Sequence, residues 1–247
     1  MTAWPQPGAI GEGGRVSVAS AGTFSVYLEV GKTRVIAGAL DWPGWCRVGR
    51  DENAALEALL AYGPRYARVV SPACLGFRPP REVSALVIAE RLTGNATTDF
   101  GAPGIAPESD GRPVDDTELG RLQAVLKACW RALDAASEQA RGRPLRLGPR
   151  GGGRALDKIL GHVSEAEVAY LSALGGKAPR NLAPADATRL IRDAMLAALE
   201  ASARGEIAER GPRGGRRWSP RYFARREAWH VLDHVWEIED RMGEGAA

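Results

Sequence analysis

The sequence predicts an α+β N-terminal half followed by an all-α four-helix bundle. Three observations predict it. Residues 23–40 alternate apolar and polar positions and are rich in β-branched residues. A Pro- and Gly-rich stretch without periodicity, "DFGAPGIAPESDGRPV" at 99–114, interrupts the chain. Beyond it lie four segments of about 20 residues with apolar positions at helical spacing. The expected organisation is a small α+β domain over 1–98, a linker over 99–114 and a bundle over 115–247.

The N-terminal elements follow in order. "TFSVYLEV" (23–30) and "TRVIAGAL" (33–40) are strands separated by "GK", a two-residue hairpin signal. "DWPGW" (41–45) is a turn, since Pro fixes φ and Gly permits positive φ. "WCRVG" is a short third strand. "DENAALEALLAYGPRYARVV" (51–70) opens with acidic residues and continues at helical spacing, which turns Ala54, Leu56, Leu59, Leu60 and Tyr66 toward the sheet. "EVSALVIAERL" (82–92) is a further strand.

The C-terminal elements are helices. The first spans 115–140, with an Asp as cap and Leu119, Leu122, Leu126, Cys129 and Leu133 as one apolar stripe. The second spans 154–174 and stops at "GG". The third spans 184–203, and the fourth runs from Ser219 to Met242. Such helices are ~30 Å long, the scale of a four-helix bundle. "GPRGG" occurs at 148–152 and at 211–215, each time before a histidine-bearing helix. A shared need for glycine at loop ends explains this equally well.

The chain has 247 residues, 45% of them hydrophobic and 26% charged, with a net charge of +3. It can bury a core, and the mild positive excess does not by itself point to nucleic acid. Cys46, Cys74 and Cys129 are far apart and odd in number, so neither a disulfide framework nor a thiolate zinc knuckle is expected. A reducing cytoplasm is the expected compartment. The first residues lack the apolar region of a signal peptide, and no apolar run reaches the ~20 residues that span a bilayer. Richness in Ala, Arg and Gly fits a high-GC bacterial genome.

Only three histidines are present. His230 and His234 stand four residues apart in "REAWHVLDHVWEIEDR" (226–241), hence on one helical face with Cβ atoms ~6 Å apart. His162 lies about eight residues, ~12 Å, inside the second bundle helix, a depth that permits a shared site without choosing the topology. The bland alternative is a set of hydrogen-bonded core imidazoles. The sharper reading is a three-imidazole metal site with an open position. Imidazole suits Zn, Ni, Cu or Fe. Glu165, Glu227, Asp233 and Glu237 are candidates to orient the ligands from behind, with solvated helix charges as the alternative. Trp229 and Trp236 are candidate walls or core beside the site.

"ILGHVSEAEVAYL" together with "AWHVLDHVWEIED" resembles the DinB-like (YfiT-like) metalloprotein superfamily over residues 114–247. The resemblance implies an up-down-down-up bundle whose second and fourth helices supply three ligands, here His162, His230 and His234. It implies a divalent metal, zinc before nickel, and an activity such as transfer or isomerisation with a low-molecular-weight thiol of the bacillithiol or mycothiol type, or hydrolysis. More weakly, the strand pair followed by "DWPGWCRVGRDENAALEALLAY" resembles HicB-type antitoxin domains over residues 22–70, with Trp45 inserted before Cys46. An accessory domain packed on the bundle is the role read from it.

"GPRGGRRWSPRYFARR" gathers Arg213, Arg216, Arg217, Arg221, Arg225 and Arg226. The first four are candidate anion ligands at the start of the last helix. Interleaved Trp218, Tyr222 and Phe223 keep nucleic acid open as a partner, and salt bridges to the N-terminal half are the bland alternative. No phosphate loop, GxSxG elbow or HExxH motif is present. Cys129 reads as core. Two functional classes remain: a metal-dependent enzyme acting on a small, anionic substrate, and a non-catalytic metal- or ligand-binding protein. A homodimer is compatible with either.

Overall fold

The structure is a computed structural model and describes residues 22–146, 153–180 and 183–242. The first "GPRGG" lies outside the described residues. Four strands, β1 (Phe24–Val30), β2 (Val35–Ala39), β3 (Cys46–Gly49) and β4 (Leu86–Thr93), form one sheet in the order β3-β2-β1-β4. β1 pairs antiparallel with β2 and parallel with β4, and β2 pairs antiparallel with β3. The helices are α1 (Glu52–Val70), α2 (Ala96–Phe100), α3 (Asp116–Ala140), α4 (Leu156–Leu174), α5 (Pro184–Ala203) and α6 (Pro220–Met242).

Local chemistry sets the boundaries. The β1–β2 connection is the four residues 31–34, not the two-residue "GK" turn, because Val30 pairs with Val35. Asp99 Oδ1 accepts from Thr33 N at 2.7 Å and from Thr33 Oγ1 at 3.0 Å, which holds Thr33 in the loop. Gly44 has φ +92 and sits against Ala228 and Leu232 of α6, where a side chain would collide. This lets the 41–45 turn carry Trp45 fully inside, with its Nε1 donating to Leu59 O at 2.8 Å. Asp51 caps α1 by accepting from Ala54 N at 2.8 Å. Ala55 rather than Ala54 is the buried alanine of α1, and Leu60 is only partly covered.

The segment expected as a linker is an ordered strap. It contains the end of α2 and a 3-10 turn at Glu108–Gly111. Buried Glu29 accepts from Thr98 Oγ1, from Gly104 N at 2.9 Å and from Ile105 N at 3.2 Å. Asp110 and Arg225 form a buried ion pair at 2.6 Å, and Arg225 also donates to Ala39 O at 2.6 Å and Leu40 O at 3.0 Å. The strap is therefore bonded to both β1 and α6. Polar residues that look like loop in a sequence are here the partners of buried charges.

The C-terminal helices do not form a clean four-helix bundle, contrary to the sequence expectation. α3 and α6 run side by side in one direction: Arg221 meets Glu118 near their starts, and Arg146 N reaches Arg241 O near their ends. α4 opposes α6, since Trp218 N donates to Ala173 O at 3.0 Å while Gly153 abuts Arg241. The N-terminal half closes the remaining side of α6. Trp229 packs with Ile36 and Cys46 of the sheet, and Trp236 meets Tyr62 of α1 with ring centroids 4.9 Å apart. One hydrophobic cluster runs from Val26 and Leu59 through Leu122 and Leu126 to Ile159 and Val235. A bundle needs helices whose apolar stripes face only one another. Here α6 is buried nearly all round, because the sheet and α1 serve as its other walls.

Candidate metal centre

α4 contributes His162 and α6 contributes His230 and His234. Gly175 at φ +105 ends α4 with its N–H on Leu171 O and Ser172 O, and Ser219 with Pro220 opens α6. Because α4 and α6 are antiparallel neighbours, the start of one and the end of the other share an end of the molecule. His162 therefore faces the i, i+4 pair across the interface. The ligand atoms of the three side chains all lie within 4.8 Å of one another. His230 Nε2 and His162 Nε2 are 3.2 Å apart. Two nitrogens bound to one tetrahedral zinc-type ion at ~2.0–2.1 Å are separated by about 3.3 Å, so this pair is already at chelating distance. The rings are steeply inclined to one another, by 67° to 87°.

Burial favours the neutral, ligating form of His162 and His230. Burial, with the neighbouring His234 and His162 and then Arg226, pushes His230 down to about 3. Burial and Arg154 lower His162. Glu237 Oε2 lies 2.8 Å from His234 Nδ1, so Nδ1 donates and Nε2 is the ring atom available to a metal. Arg241 Nη1 donates to the other Glu237 oxygen at 2.8 Å, and the His234 bond, ahead of Arg241, holds that carboxyl below its ordinary range. His230 Nδ1 is buried without a partner. The donor set fits a borderline transition-metal ion: three histidines that can hold a metal ion, one of them oriented by a carboxylate.

The other sequence candidates are placed differently. Glu165 is exposed; its charge raises His162, but no bond to the histidine forms. Asp233 pairs with Arg47 at 3.3 Å. Glu227 is fully buried and accepts from Trp130 Nε1 at 2.8 Å instead of turning to a histidine. It neighbours a second buried carboxyl, Glu167, which accepts from Arg192 Nε at 3.0 Å. Burial raises both carboxyls, and each keeps one buried oxygen without a partner.

The four arginines expected as anion ligands do not converge. Arg213 and Arg216 are exposed, with Arg216 in a backbone bridge to Arg210. Arg217 Nη1 donates to Ala208 O at 3.0 Å, and Arg221 pairs with Glu118 at 2.5 Å. Of the arginines gathered before and at the start of α6, the one that approaches the centre is Arg226, beside Tyr170. Tyr170 passed unmarked in the sequence, although its position eight residues after His162 places both on one face of α4.

Cys129 is buried with its thiol pushed far up, and Cys46 is pushed up to about 12, both by burial, so neither is a nucleophile. A cleft of about 310 Å³ lies between α1, α3 and the end of α6. Its lining of Arg65, Arg68, alanines and Trp236 includes none of the three histidines. No helix of the described residues is long and apolar enough to cross a membrane. No family model matches the chain, and no curated protein or solved structure matches it either.

Proposed function

We propose that the protein is a metal-dependent enzyme that binds a divalent transition metal, zinc foremost, through His162, His230 and His234. The observation that carries this reading is the convergence of all three histidines of the chain, with two Nε2 atoms 3.2 Å apart. Among the described residues the cluster contains three such ligands and no fourth. That count is the mark of a catalytic rather than a structural zinc-type site, which keeps a position for substrate. Bound there, a metal supplies Lewis acidity and lowers the pKa of a coordinated donor group. Burial lowers His162 and His230 toward the neutral form, Glu237 orients His234, and Trp229 and Tyr170 wall the site.

The reaction class we favour is group transfer from a low-molecular-weight thiol to an electrophile, with hydrolysis as the alternative outcome of the same assay. The resemblance supports this choice. Apoprotein titrated with cobalt(II) should bind one equivalent and give the visible bands of a low-coordinate ion. His230→Ala should lower affinity by at least 100-fold. Unchanged cobalt binding by His230→Ala defeats the reading. A protein that binds cobalt but gives no spectral response to any small thiol, and turns over neither thiol conjugates nor esters, defeats the enzymatic part alone.

A further inference from the structure

The histidine cluster has a cationic flank that no other part of the fold explains. Arg226 lies one helical turn before His230, which places its backbone ~6 Å along the axis from that ligand. Its guanidinium sits over Trp229, 4.9 Å from the ring centroid, and over Tyr170 at 5.6 Å. Nη2 donates to the Tyr170 hydroxyl at 3.2 Å, and Nη1 donates to Pro103 O. Nε is buried and has no acceptor. The Tyr170 ring in turn lies 5.7 Å from the His230 ring.

Three further arginines of α6 each have a carboxylate: Arg221 with Glu118, Arg225 with Asp110 and Arg241 with Glu237. Arg226 makes no ion pair among the described residues; its acceptors are one carbonyl and one neutral hydroxyl. A half-buried guanidinium with a bare Nε and no counter-charge is costly unless an anion visits it. Arg154 adds positive potential at His162 and His230, opposed at His162 by Glu165 and Glu237. The carboxylate that touches the cluster, Glu237, is already shared with Arg241. A divalent ion on three neutral imidazoles adds two more positive charges, so the local balance calls for an anion.

Resting on the metal-centre reading above, we propose that Arg226, braced by Tyr170 and Trp229, seats a carboxylate of the ligand whose donor atom takes the remaining position beside His230. Once the Tyr170 hydroxyl yields Nη2 and the guanidinium turns to bring its buried, unpartnered Nε forward, the planar Nε–Nη2 edge presents two parallel donors matched to a carboxylate. The substrate class is then a small organic anion whose metal-directed donor and carboxylate are a few bonds apart. If Arg226 were only a strut holding Pro103, its loss would affect stability without altering ligand choice.

The test uses the full chain loaded with cobalt(II) and two thiols of equal length, 3-mercaptopropionate and 3-mercaptopropan-1-ol. The thiolate-to-cobalt absorption band reads their binding at one pH and low salt. The expected result is at least tenfold tighter binding of the anionic thiol. In Arg226→Gln the preference should fall to about twofold or less, with the neutral thiol moving less than threefold. Arg226→Lys, which keeps the charge and stem but lacks the two-donor edge, serves if the Gln variant does not fold, and should lower the preference at least threefold. Equal binding of the two thiols by the parent protein, or an undiminished preference in the folded variants, overturns the proposal. Failure to take up cobalt at all overturns the metal centre and this inference together, whereas cobalt uptake with equal thiol binding overturns this inference alone.

Discussion

Removing Asp110 should cost more than any exposed ion pair of the molecule. Asp110 is 1% exposed and Arg225 is 3% exposed. The carboxylate accepts from Arg225 Nε at 2.8 Å and Nη2 at 2.6 Å, a bidentate pair. Arg225 also donates to Ala39 O and Leu40 O at the end of β2 and lies 5.3 Å from the Tyr27 ring centroid. Asp110→Ala leaves those backbone bonds intact but strands a buried guanidinium. Breaking one side of a buried pair costs about 3–5 kcal/mol. At ~2–4 °C per kcal/mol for a chain of this size, Tm should fall by roughly 6–20 °C. The assay is urea and thermal unfolding of Asp110→Ala, Arg225→Met and the double variant. The double variant should be less destabilised than the sum of the singles by at least about 1 kcal/mol, since the stranded charge is gone. A loss below about 1 kcal/mol in Asp110→Ala, or additivity of the two changes, would refute the view that this pair locks the strap to the core.

Further predictions concern the centre and the buried carboxyls. Glu237→Gln should weaken metal binding by about 10–100-fold without unfolding the protein, because His234 loses its charged acceptor; unchanged cobalt affinity would contradict the orienting role. Glu227→Gln keeps the acceptor for Trp130 Nε1 and removes an ionisable group whose folded-state value burial raises. A raised carboxyl contributes its stability below its ordinary 4.5 and loses it as pH climbs through the raised folded value, so Gln should match the parent near pH 4.5 and exceed it by roughly 1–3 kcal/mol at pH 9. Identical stability–pH curves for the two proteins would rule this out. A fragment beginning at residue 115 should bind a hydrophobic dye and unfold without cooperativity, since Trp229, Leu232 and Trp236 lose the walls supplied by residues 24–100; sigmoidal unfolding of that fragment would show that the helices stand alone.

The strands and long helices were legible because each has one strong period. The apolar stripe of α3, from Leu119 to Leu133, is buried as its spacing predicts. The histidine cluster was legible because three rare side chains fell on two helices at compatible depth. What escaped the sequence is non-local. α2 is short, and its capping box of Asn95 and Thr98 lies inside a run of turn-forming residues. The strap looks like linker because its order depends on Glu29 and Arg225, 75 and 115 residues from their respective partners Gly104 and Asp110. The departure from a clean bundle was written in α6 itself. Phe223, Trp229, Val231, Leu232, Val235 and Trp236 point all round that helix, the pattern of a helix with no wet face. Arg226 was one basic residue among six until the fold gave the other α6 arginines their carboxylates.

Helix α6 carries His230 and His234 and also touches the sheet, α1, α3 and α4, so its substitutions cannot be local. An adjustment to the pocket made there propagates into folding, and random mutagenesis over 220–242 should yield mostly insoluble variants. α4 is the opposite case. It carries His162 yet leaves Gly161, Glu165, Val168 and Ala169 exposed. The candidate centre thus has a conservative wall and a permissive wall, and its surroundings are free to diversify through α4 while α6 keeps two of the three histidines in place.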